Sequence, residues 1–410
     1  MIKEYLKKVQ KRYKEIVYIF DYHFILKAII DNTNNMLKKA QVYFLTSKGK
    51  SVKTIFNFSA GPAMMPLEVM QQAQSEFLNW HGMGVSVAEI SHRGPAFMAL
   101  AEQSKKDLRE LLNIPENYHI LFLPGGSRTQ FSAVPMNLME SKSVAYVQTG
   151  YWGMAAATEA ARYGDIKIVA NSESDHYTII PAQNTWDDFF DCAYLHYVDN
   201  ETIHGVEFPF TPDVRKIPLV CDMSSNFLSR PVDVSKYGLI YACSQKNIAV
   251  TGITIVIIRD DLLARKPHPA LPSIMHYALQ VKHDSMYNTP PTFEWYFAGL
   301  VFQWLKRHGG LTAMAQKNTE KSEKLYTYLD SQDFYKNTVA KNSRSRMNVV
   351  FHLPTPELDA AFVKSAAENN LIGLKGHKIA GGIRASIYNA MPMEGVLQLI
   401  DFMKTFSQHQ

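Results

Sequence analysis

From residue 56 onward, short apolar runs rich in β-branched and aromatic residues alternate with segments whose apolar residues recur at helical spacing. Strands separated by helices need crossover connections, which favour a largely parallel sheet. A long helical stretch follows at 290–308, and the C-terminal part mixes helix with short strands such as 347–352 and 382–387. The pattern predicts an α/β fold, with a mainly parallel seven-stranded sheet in a large domain and a smaller α+β domain after it. The seven predicted strands occupy residues 119–123, 143–147, 167–169, 193–197, 219–221, 239–243 and 254–258.

This pattern divides the chain into four parts. Residues 1–53 form a basic N-terminal extension that we predict to be dispensable or poorly ordered. Residues 54–94 hold too few strands for an independent domain and are predicted to pack on the small domain. The large domain takes residues 95–308, and the small C-terminal domain takes residues 309–410.

Charge is distributed unevenly along the chain. The whole chain has a net charge of +5, whereas residues 1–53 alone carry +8, so the main body carries −3. Phosphate backbones are held chiefly by positive surfaces, so we expect no nucleic-acid partner. Any anion site in the main body must therefore be built locally.

The three cysteines, Cys192, Cys221 and Cys243, are scattered and lack the spacing of a zinc site. An odd number of separated cysteines also argues against a disulfide framework. We therefore expect no metal site and a reducing, cytoplasmic location.

The first residues predict a basic amphipathic helix, because an apolar stripe is flanked by lysine and arginine. The stripe consists of Ile2, Leu6, Val9, Tyr13, Ile16 and Phe20. The apolar run that follows is interrupted by charges and too short to span a bilayer, and neither a secretory signal nor a transit peptide is indicated. Attachment to a lipid surface or a partner is one interpretation and a dispensable appendage the other. We do not expect membrane contact through this helix.

Three local features point to chemistry at strand ends. In the stretch 120–131 a strand runs through Gly125 and Gly126 into a helical pattern, and such a helix start can bind phosphate. Lys246 follows the strand at 239–243, where partial desolvation favours a nucleophilic amine. Asp222 ends the strand at 219–221.

Each feature alone also has an ordinary explanation. A strand-to-helix turn needs glycines for steric reasons, and a lysine at a strand end is often simply solvated. Together they provide what pyridoxal phosphate requires: a lysine for the aldehyde, a carboxylate for the pyridine nitrogen and a loop for the phosphate. Ligands of open α/β sheets bind beyond the carboxyl ends of strands, where these residues fall.

A series of motifs then resembles one family, the phosphoserine aminotransferases of the class V pyridoxal-phosphate-dependent aminotransferases. The resemblance runs from about residue 56 to residue 406. It implies the aspartate-aminotransferase type of fold (fold type I of the pyridoxal-phosphate enzymes). The motifs are FNFSAGP (56–62), SHRG (91–94), GYWG (150–153), NETI (200–203), SQKN (244–247), MYNTPPTF (286–293), SRMN (345–348), KGH (375–377) and RASIYNAMP (384–392).

The resemblance implies a role for each matching residue. Lys246 is expected to be the Schiff-base lysine and then the acid and base at the substrate's α-carbon. Asp222 is expected to pair with the pyridinium, and Trp152 is expected to stack on the ring. One pyridoxal phosphate per subunit is implied. Thr202 is expected to bond the cofactor's phenolic oxygen. The cofactor phosphate is expected to be held by Ser127, Arg128 and Gln245, with Asn288 and Thr289 from the other subunit of a homodimer with shared active sites.

The substrate residues follow from the same resemblance. Arg384 is expected to bind the α-carboxylate, and His92, Arg93, His377 and Lys378 the distal phosphate, or the distal carboxylate of glutamate. Two positions depart from the family pattern. Ser127 stands where many members have a third glycine, and its hydroxyl can add a donor. Lys378 stands where arginine is common; it keeps the charge but loses the planar fork.

The implied reaction is reversible transfer of an amino group from L-glutamate to 3-phosphohydroxypyruvate, giving O-phospho-L-serine and 2-oxoglutarate in serine biosynthesis. Members of the family in many bacteria also form 4-phosphohydroxy-L-threonine for pyridoxine biosynthesis, and this second activity stays open here. Two alternatives remain: another class V aminotransferase, or an inactive scaffold recruited through the basic N-terminal helix.

Overall fold

The computed structural model describes residues 54–409, so the predicted N-terminal helix lies outside the described residues. The strands are β1 (Phe56–Asn57), β2 (Tyr118–Pro124), β3 (Val144–Gln148), β4 (Ile166–Asn171), β5 (Leu195–Val198), β6 (Asn200–Glu201), β7 (Val206–Glu207), β8 (Leu219–Asp222), β9 (Leu239–Cys243), β10 (Ile253–Arg259), β11 (Asn348–Phe351), β12 (Leu371–Ile372) and β13 (Ile383–Ser386). The α-helices are α1 (Leu67–Glu76), α2 (Pro95–Leu112), α3 (Arg128–Leu138), α4 (Tyr151–Ala160), α5 (Asp260–Leu263), α6 (Tyr277–Lys282), α7 (Thr292–Arg307), α8 (Gly310–Asp330), α9 (Pro356–Glu368) and α10 (Met393–Gln408). Short 3₁₀ helices lie at Trp80–Gly82, Val87–Glu89, Glu173–Asp175, Gln183–Thr185, Val234–Lys236, Ser273–Met275 and Lys341–Ser343.

The predicted sheet is present, with seven strands in the order β2-β10-β9-β8-β5-β3-β4. Neighbours from β9 to β4 pair in parallel, whereas β10 is antiparallel to both β2 and β9. The connection from β9 to β10 holds no α-helix, so the chain returns beside β9 in the opposite direction. The remaining six strands therefore point the same way, which confirms the predicted α/β fold.

Helices cover both faces of the sheet, which explains why its strands read as continuous apolar runs. Within β2, Ile120 and Phe122 belong to a core shared with helices α2 and α7, while Leu121 and Leu123 belong to a core shared with α3 and α4. Adjacent residues of a strand point to opposite faces, so a strand buried on both sides has no polar alternation.

A separate hydrophobic core gathers the C-terminal elements. There β11 pairs antiparallel with β13, at the two positions where the sequence predicts strands, and β1 pairs in parallel with β12. Helices α9 and α10 contribute Phe362 and Leu399 to this core. Helix α8 spans both cores, since Leu311 lies in the core of the large sheet and Leu325 in the C-terminal one.

The segment at 54–94 also divides between the two cores. Phe56 and Phe58 lie in the C-terminal core, whereas Val69 of α1 and Trp80 lie in the core of the large sheet. The first strand of this segment thus contributes to the C-terminal core and its helical part to the core of the large sheet, and the predicted domain assignment stays a prediction. Among residues 54–409, no helix has the length and apolar character needed to cross a membrane.

Candidate active site

The carboxyl ends of β2, β3, β5, β8 and β9 meet at one edge of the sheet, because these strands are parallel to one another. The chain following each of these strands carries predicted site residues. A cavity of about 300 Å³ opens at this edge. Its lining includes Ser127, Arg128, Trp152, Thr202, Asp222, Gln245 and Lys246. Tertiary structure therefore brings together residues that the sequence separates by more than a hundred positions.

Lys246 is held by a direct contact with Thr202. Its Nζ atom donates a hydrogen bond to Thr202 Oγ1 over 2.7 Å. Thr202 is buried in the loop after β5, and Lys246 lies in the turn after β9. The amine is thus fixed at the cavity wall rather than extended into solvent, as a nucleophilic lysine requires.

Asp222 is the last residue of β8 and is buried. Burial raises the pKa of its carboxyl group, while hydrogen bonding from Ser224 and the charge of Lys246 act in the opposite direction. The backbone N–H of Ser224 donates to Asp222 Oδ1 over 2.8 Å. The Ser224 hydroxyl also lies 2.8 Å from the Ser127 hydroxyl, so Ser224 connects the carboxylate to the glycine loop.

The glycine loop between β2 and α3 is shaped to accept an anion. Gly125 has a φ of +95°, a conformation that favours glycine. Helix α3 begins at Arg128 without a side-chain cap, which leaves its N-terminal end open to an anion. The Arg128 guanidinium lies 5.2 Å from the centre of the Trp152 ring and donates to the Tyr151 hydroxyl over 3.1 Å.

The cavity fits pyridoxal phosphate by its donors and by its unsatisfied groups. Trp152 Nε1, Gln245 Oε1 and Asn200 Oδ1 are buried without a hydrogen-bond partner among the described residues, and all three belong to residues lining the cavity. Such groups are costly unless a ligand or water satisfies them. The cavity provides the groups that this cofactor needs: a lysine, a buried carboxylate, an indole and an open helix N-terminus.

Arg384, on β13 of the C-terminal core, does not line this cavity but contacts Thr202, which does. Its Nη1 atom donates to the carbonyl oxygen of Thr202 over 3.4 Å, and burial lowers the pKa of the guanidinium. Burial also lowers the pKa of His377, and the positive charges of Arg384 and Lys378 act in the same direction. His377 packs near the Tyr151 ring, with centroids 6.1 Å apart. Arg384 and Lys378 thus place positive charge near the cofactor cavity, whereas the lowered pKa of His377 favours its neutral form.

Seven predicted site residues are absent from the lining of the cavity: His92, Arg93, Asn288, Thr289, His377, Lys378 and Arg384. Arg384 still donates to the lining residue Thr202, whereas the described residues show no hydrogen bond from His92, Arg93, Asn288 or Thr289 to the lining. Asn288 and Thr289 are exposed in the loop before α7, and Asn288 Nδ2 donates only to the Thr289 carbonyl oxygen at 3.3 Å. His92 accepts a hydrogen bond from Arg93 over 3.3 Å. A single chain therefore does not bring these four residues into its own cavity.

Sequence reasoning missed two residues of this site. Ser224 lies two positions after Asp222, the end of its strand, yet a serine pair there has no distinctive pattern. Glu201 stands inside the NETI motif and is fully buried, although only its neighbour Thr202 was expected to act. The available signal was a charged residue three positions after the end of the buried strand β5. Among residues 54–409, no cluster of His, Cys, Asp and Glu is arranged to hold a metal ion.

Comparison with known proteins places this geometry in a family. Residues 55–399 match the family model "Aminotransferase class-V". A phosphoserine aminotransferase of Coxiella burnetii (strain CbuK_Q154) is 53% identical over 355 residues, which are 86% of this chain and 98% of that protein.

Solved structures give the same result. The phosphoserine aminotransferase of Bacillus circulans subsp. alkalophilus has a TM-score of 0.85 at 42% identity and covers 87% of this chain and 99% of its own. The PLP-bound phosphoserine aminotransferase of Trichomonas vaginalis has a TM-score of 0.83 at 45% identity, covering 86% of this chain and 100% of its own.

Proposed function

The chain belongs to the class V aminotransferase family and, within it, to the phosphoserine aminotransferases, and we propose that it transfers the amino group of L-glutamate to 3-phosphohydroxypyruvate. The products are O-phospho-L-serine and 2-oxoglutarate, and the pathway is serine biosynthesis. The enzyme is a pyridoxal-phosphate-dependent transaminase. The observation that carries the proposal is the contact of Lys246 with Thr202 inside a cavity that Asp222 and Trp152 also line.

Pyridoxal phosphate, when bound, withdraws electrons from the substrate's α-carbon and so makes its proton acidic. Lys246 is proposed to hold the cofactor covalently and then to move a proton at the α-carbon. Asp222 keeps the ring nitrogen protonated, and Trp152 packs on the ring. The exposed helix N-terminus at Ser127 and Arg128 supports their assignment to the cofactor phosphate, together with Gln245.

Substrate recognition is proposed to use the positive side chains beside the cavity. Arg384 is the candidate for the α-carboxylate, because a guanidinium binds a carboxylate through two parallel hydrogen bonds. His377 and Lys378 lie on the same side and are proposed to receive the distal phosphate, or the distal carboxylate of glutamate. His92 and Arg93 are assigned to the same group, from outside the single-chain cavity.

The active form is proposed to be a cytoplasmic homodimer. Two observations support a second copy at each site: Asn288 and Thr289 lie outside the cavity of their own chain, and helix α1 with the residues after it exposes apolar side chains. Leu67 is 68% exposed and Leu78 is 79% exposed. Burying such side chains against a partner stabilises an assembly. In that arrangement Asn288 and Thr289 would complete the phosphate site of the other subunit.

The test compares the wild-type enzyme with Lys246→Ala and with Lys236→Ala, an exposed lysine that serves as control. Wild type and control should be yellow and should convert glutamate and 3-phosphohydroxypyruvate, with little turnover of hydroxypyruvate lacking the phosphate. Lys246→Ala should stay folded, lose the covalently bound chromophore and lose turnover by several orders of magnitude. A yellow Lys246→Ala enzyme with normal turnover would remove this lysine from the reaction. A colourless wild type without transamination would favour the scaffold alternative, and equal turnover without the substrate phosphate would favour another class V aminotransferase.

A further inference from the structure

Glu201 joins two parts of the active site that come from different strands. It is the second residue of the short strand β6, and its side chain is fully buried. Its Oε1 atom accepts the backbone N–H of Gly153 over 2.7 Å, and its Oε2 atom accepts that of Trp152 over 3.1 Å. Both N–H groups belong to the first turn of α4, which begins at Tyr151. The carboxylate thus caps a helix that follows β3.

This cap has no local substitute. Gly150 precedes the helix and has no side chain with which to cap it. The first N–H groups of a helix have no partner within the helix, and a carboxylate is a favourable acceptor for them. Glu201 provides this acceptor from β6, just after β5, and β5 is the neighbour of β3 in the sheet. The position of the Trp152 backbone therefore depends on the position of Glu201.

The space around the carboxylate is matched to it. A Cβ atom added to Gly150 would lie 2.5 Å from Glu201 Cδ, a distance at which one of the two residues must move. Gly150 has a φ of 171°, which is extended backbone that any residue adopts. The glycine is therefore required by the approach of Glu201 and not by its own conformation.

Thr202, the acceptor for Lys246 Nζ, directly follows Glu201 at the start of the turn after β6. Two successive residues thus reach in two directions, Glu201 to the helix that carries Trp152 and Thr202 to the lysine. Burial raises the pKa of Glu201 to about 7, with Asp222 acting in the same direction, whereas the two N–H groups and Lys246 act against it. A fully buried carboxylate is an expensive way to cap a helix, which a serine or threonine can do as well.

We propose, on the basis of the proposed function, that Glu201 is a positioning residue that fixes Trp152 relative to Thr202 and Lys246 and so sets how firmly the cofactor ring is held. Its contribution is geometric, because its two carboxylate oxygens are already bonded to the helix. Glu201 thereby couples the position of Trp152, which is assigned to ring packing, to the position of Thr202, which binds Lys246.

The experiment compares Glu201→Gln with Glu173→Gln, a glutamine substitution at an exposed glutamate. The cofactor is removed from each protein, pyridoxal phosphate is titrated back, and three signals are followed: visible absorbance, visible circular dichroism and tryptophan fluorescence. Glu201→Gln keeps the shape but presents an NH₂ group to one of the two N–H donors. We expect its cofactor affinity to fall by about 10- to 100-fold, as for loss of a hydrogen bond to a charged group. The visible circular dichroism should weaken, and Glu173→Gln should match the wild type.

A double-mutant cycle tests the contact independently of how well Glu201→Gln folds. Gly150→Ala alone should weaken cofactor binding, because the new methyl group displaces the carboxylate. In a Glu201→Ala background the methyl group has room, so the same Gly150→Ala change should have little further effect. Strong non-additivity supports the proposal, since it measures coupling between the two residues.

Two results would overturn it: wild-type affinity and circular dichroism in Glu201→Gln, or fully additive effects in the cycle. Both are distinct from failure of the proposed function. If the proposed function failed, the wild-type protein itself would bind no pyridoxal phosphate or would not transaminate.

Discussion

Arg384 donates a hydrogen bond to the carbonyl oxygen of Thr202, 182 positions earlier in the chain. Thr202 in turn accepts a hydrogen bond from Lys246 through its side chain. Thr202 thus contacts both residues. Arg384, proposed to bind the substrate's α-carboxylate, lies on a strand of the C-terminal core, and Lys246, the proposed catalytic lysine, lies at the edge of the large sheet. Substrate binding and proton transfer are therefore expected to depend on the same loop.

Replacing Thr202 by valine tests this dependence. Thr202→Val keeps the shape of the side chain but removes the hydroxyl that accepts from Lys246 Nζ. The same hydroxyl is proposed to bond the cofactor's phenolic oxygen. We expect kcat to fall by about 5- to 30-fold, equivalent to about 1 to 2 kcal/mol, since one hydrogen bond to a charged group is lost. Steady-state kinetics with the exposed Thr338→Val as control would measure it. Unchanged kcat would show that the contact is not used in turnover.

Replacing Lys378 by arginine tests the departure from the family pattern. Lys378 is exposed beside His377. If a fork-shaped guanidinium adds a charge-assisted hydrogen bond to the substrate phosphate, phosphorylated substrates should bind more tightly by about 0.5 to 1.5 kcal/mol. Glutamate should gain less. This expectation is tested by measuring KM for both substrates in Lys378→Arg and in Lys364→Arg, a control at an exposed lysine. Equal changes for both substrates would contradict distal-phosphate recognition by Lys378.

Shared active sites can be tested by subunit complementation. Lys246→Ala and the double variant Asn288→Ala/Thr289→Ala should each be poorly active as homodimers. After mixed refolding, half of the dimers carry one of each chain, and one of their two sites is then intact. We expect about a quarter of wild-type activity from the mixture. Recovery of no activity in a mixture that contains heterodimers would show that Asn288 and Thr289 serve their own chain.

The N-terminal extension is predicted to be unnecessary for catalysis and dimer formation. The match to the family model begins at residue 55, and no proposed site residue precedes His92. Residues 54–410 and the full chain should therefore show equal turnover and equal sedimentation behaviour. The N-terminus of the native protein, determined by mass spectrometry, would complete the comparison. Loss of activity or of the dimer on truncation would contradict the prediction.

Much of the fold could be predicted because burial leaves a mark on local sequence. Most strands of the large sheet are covered on both faces, so they are nearly continuous apolar runs and short enough to be distinguished from helices. The edge strand β4 is less buried and includes Lys167. The end of β8 at Asp222 was also visible, because a charge directly after a buried run marks the place where the chain leaves the core. The same reasoning located Lys246 shortly after β9.

The sequence by itself therefore determined the strands, their largely parallel arrangement and the polar residues at their ends. Only the tertiary structure decided that β10 runs antiparallel, that Arg384 reaches Thr202, and that Glu201 caps the helix of Trp152. The physical reason is that a strand's pattern records whether its side chains are buried but not which distant side chains they meet. Those contacts depend on how whole strands and helices pack, and the chain holds no local signal for partners far apart in sequence.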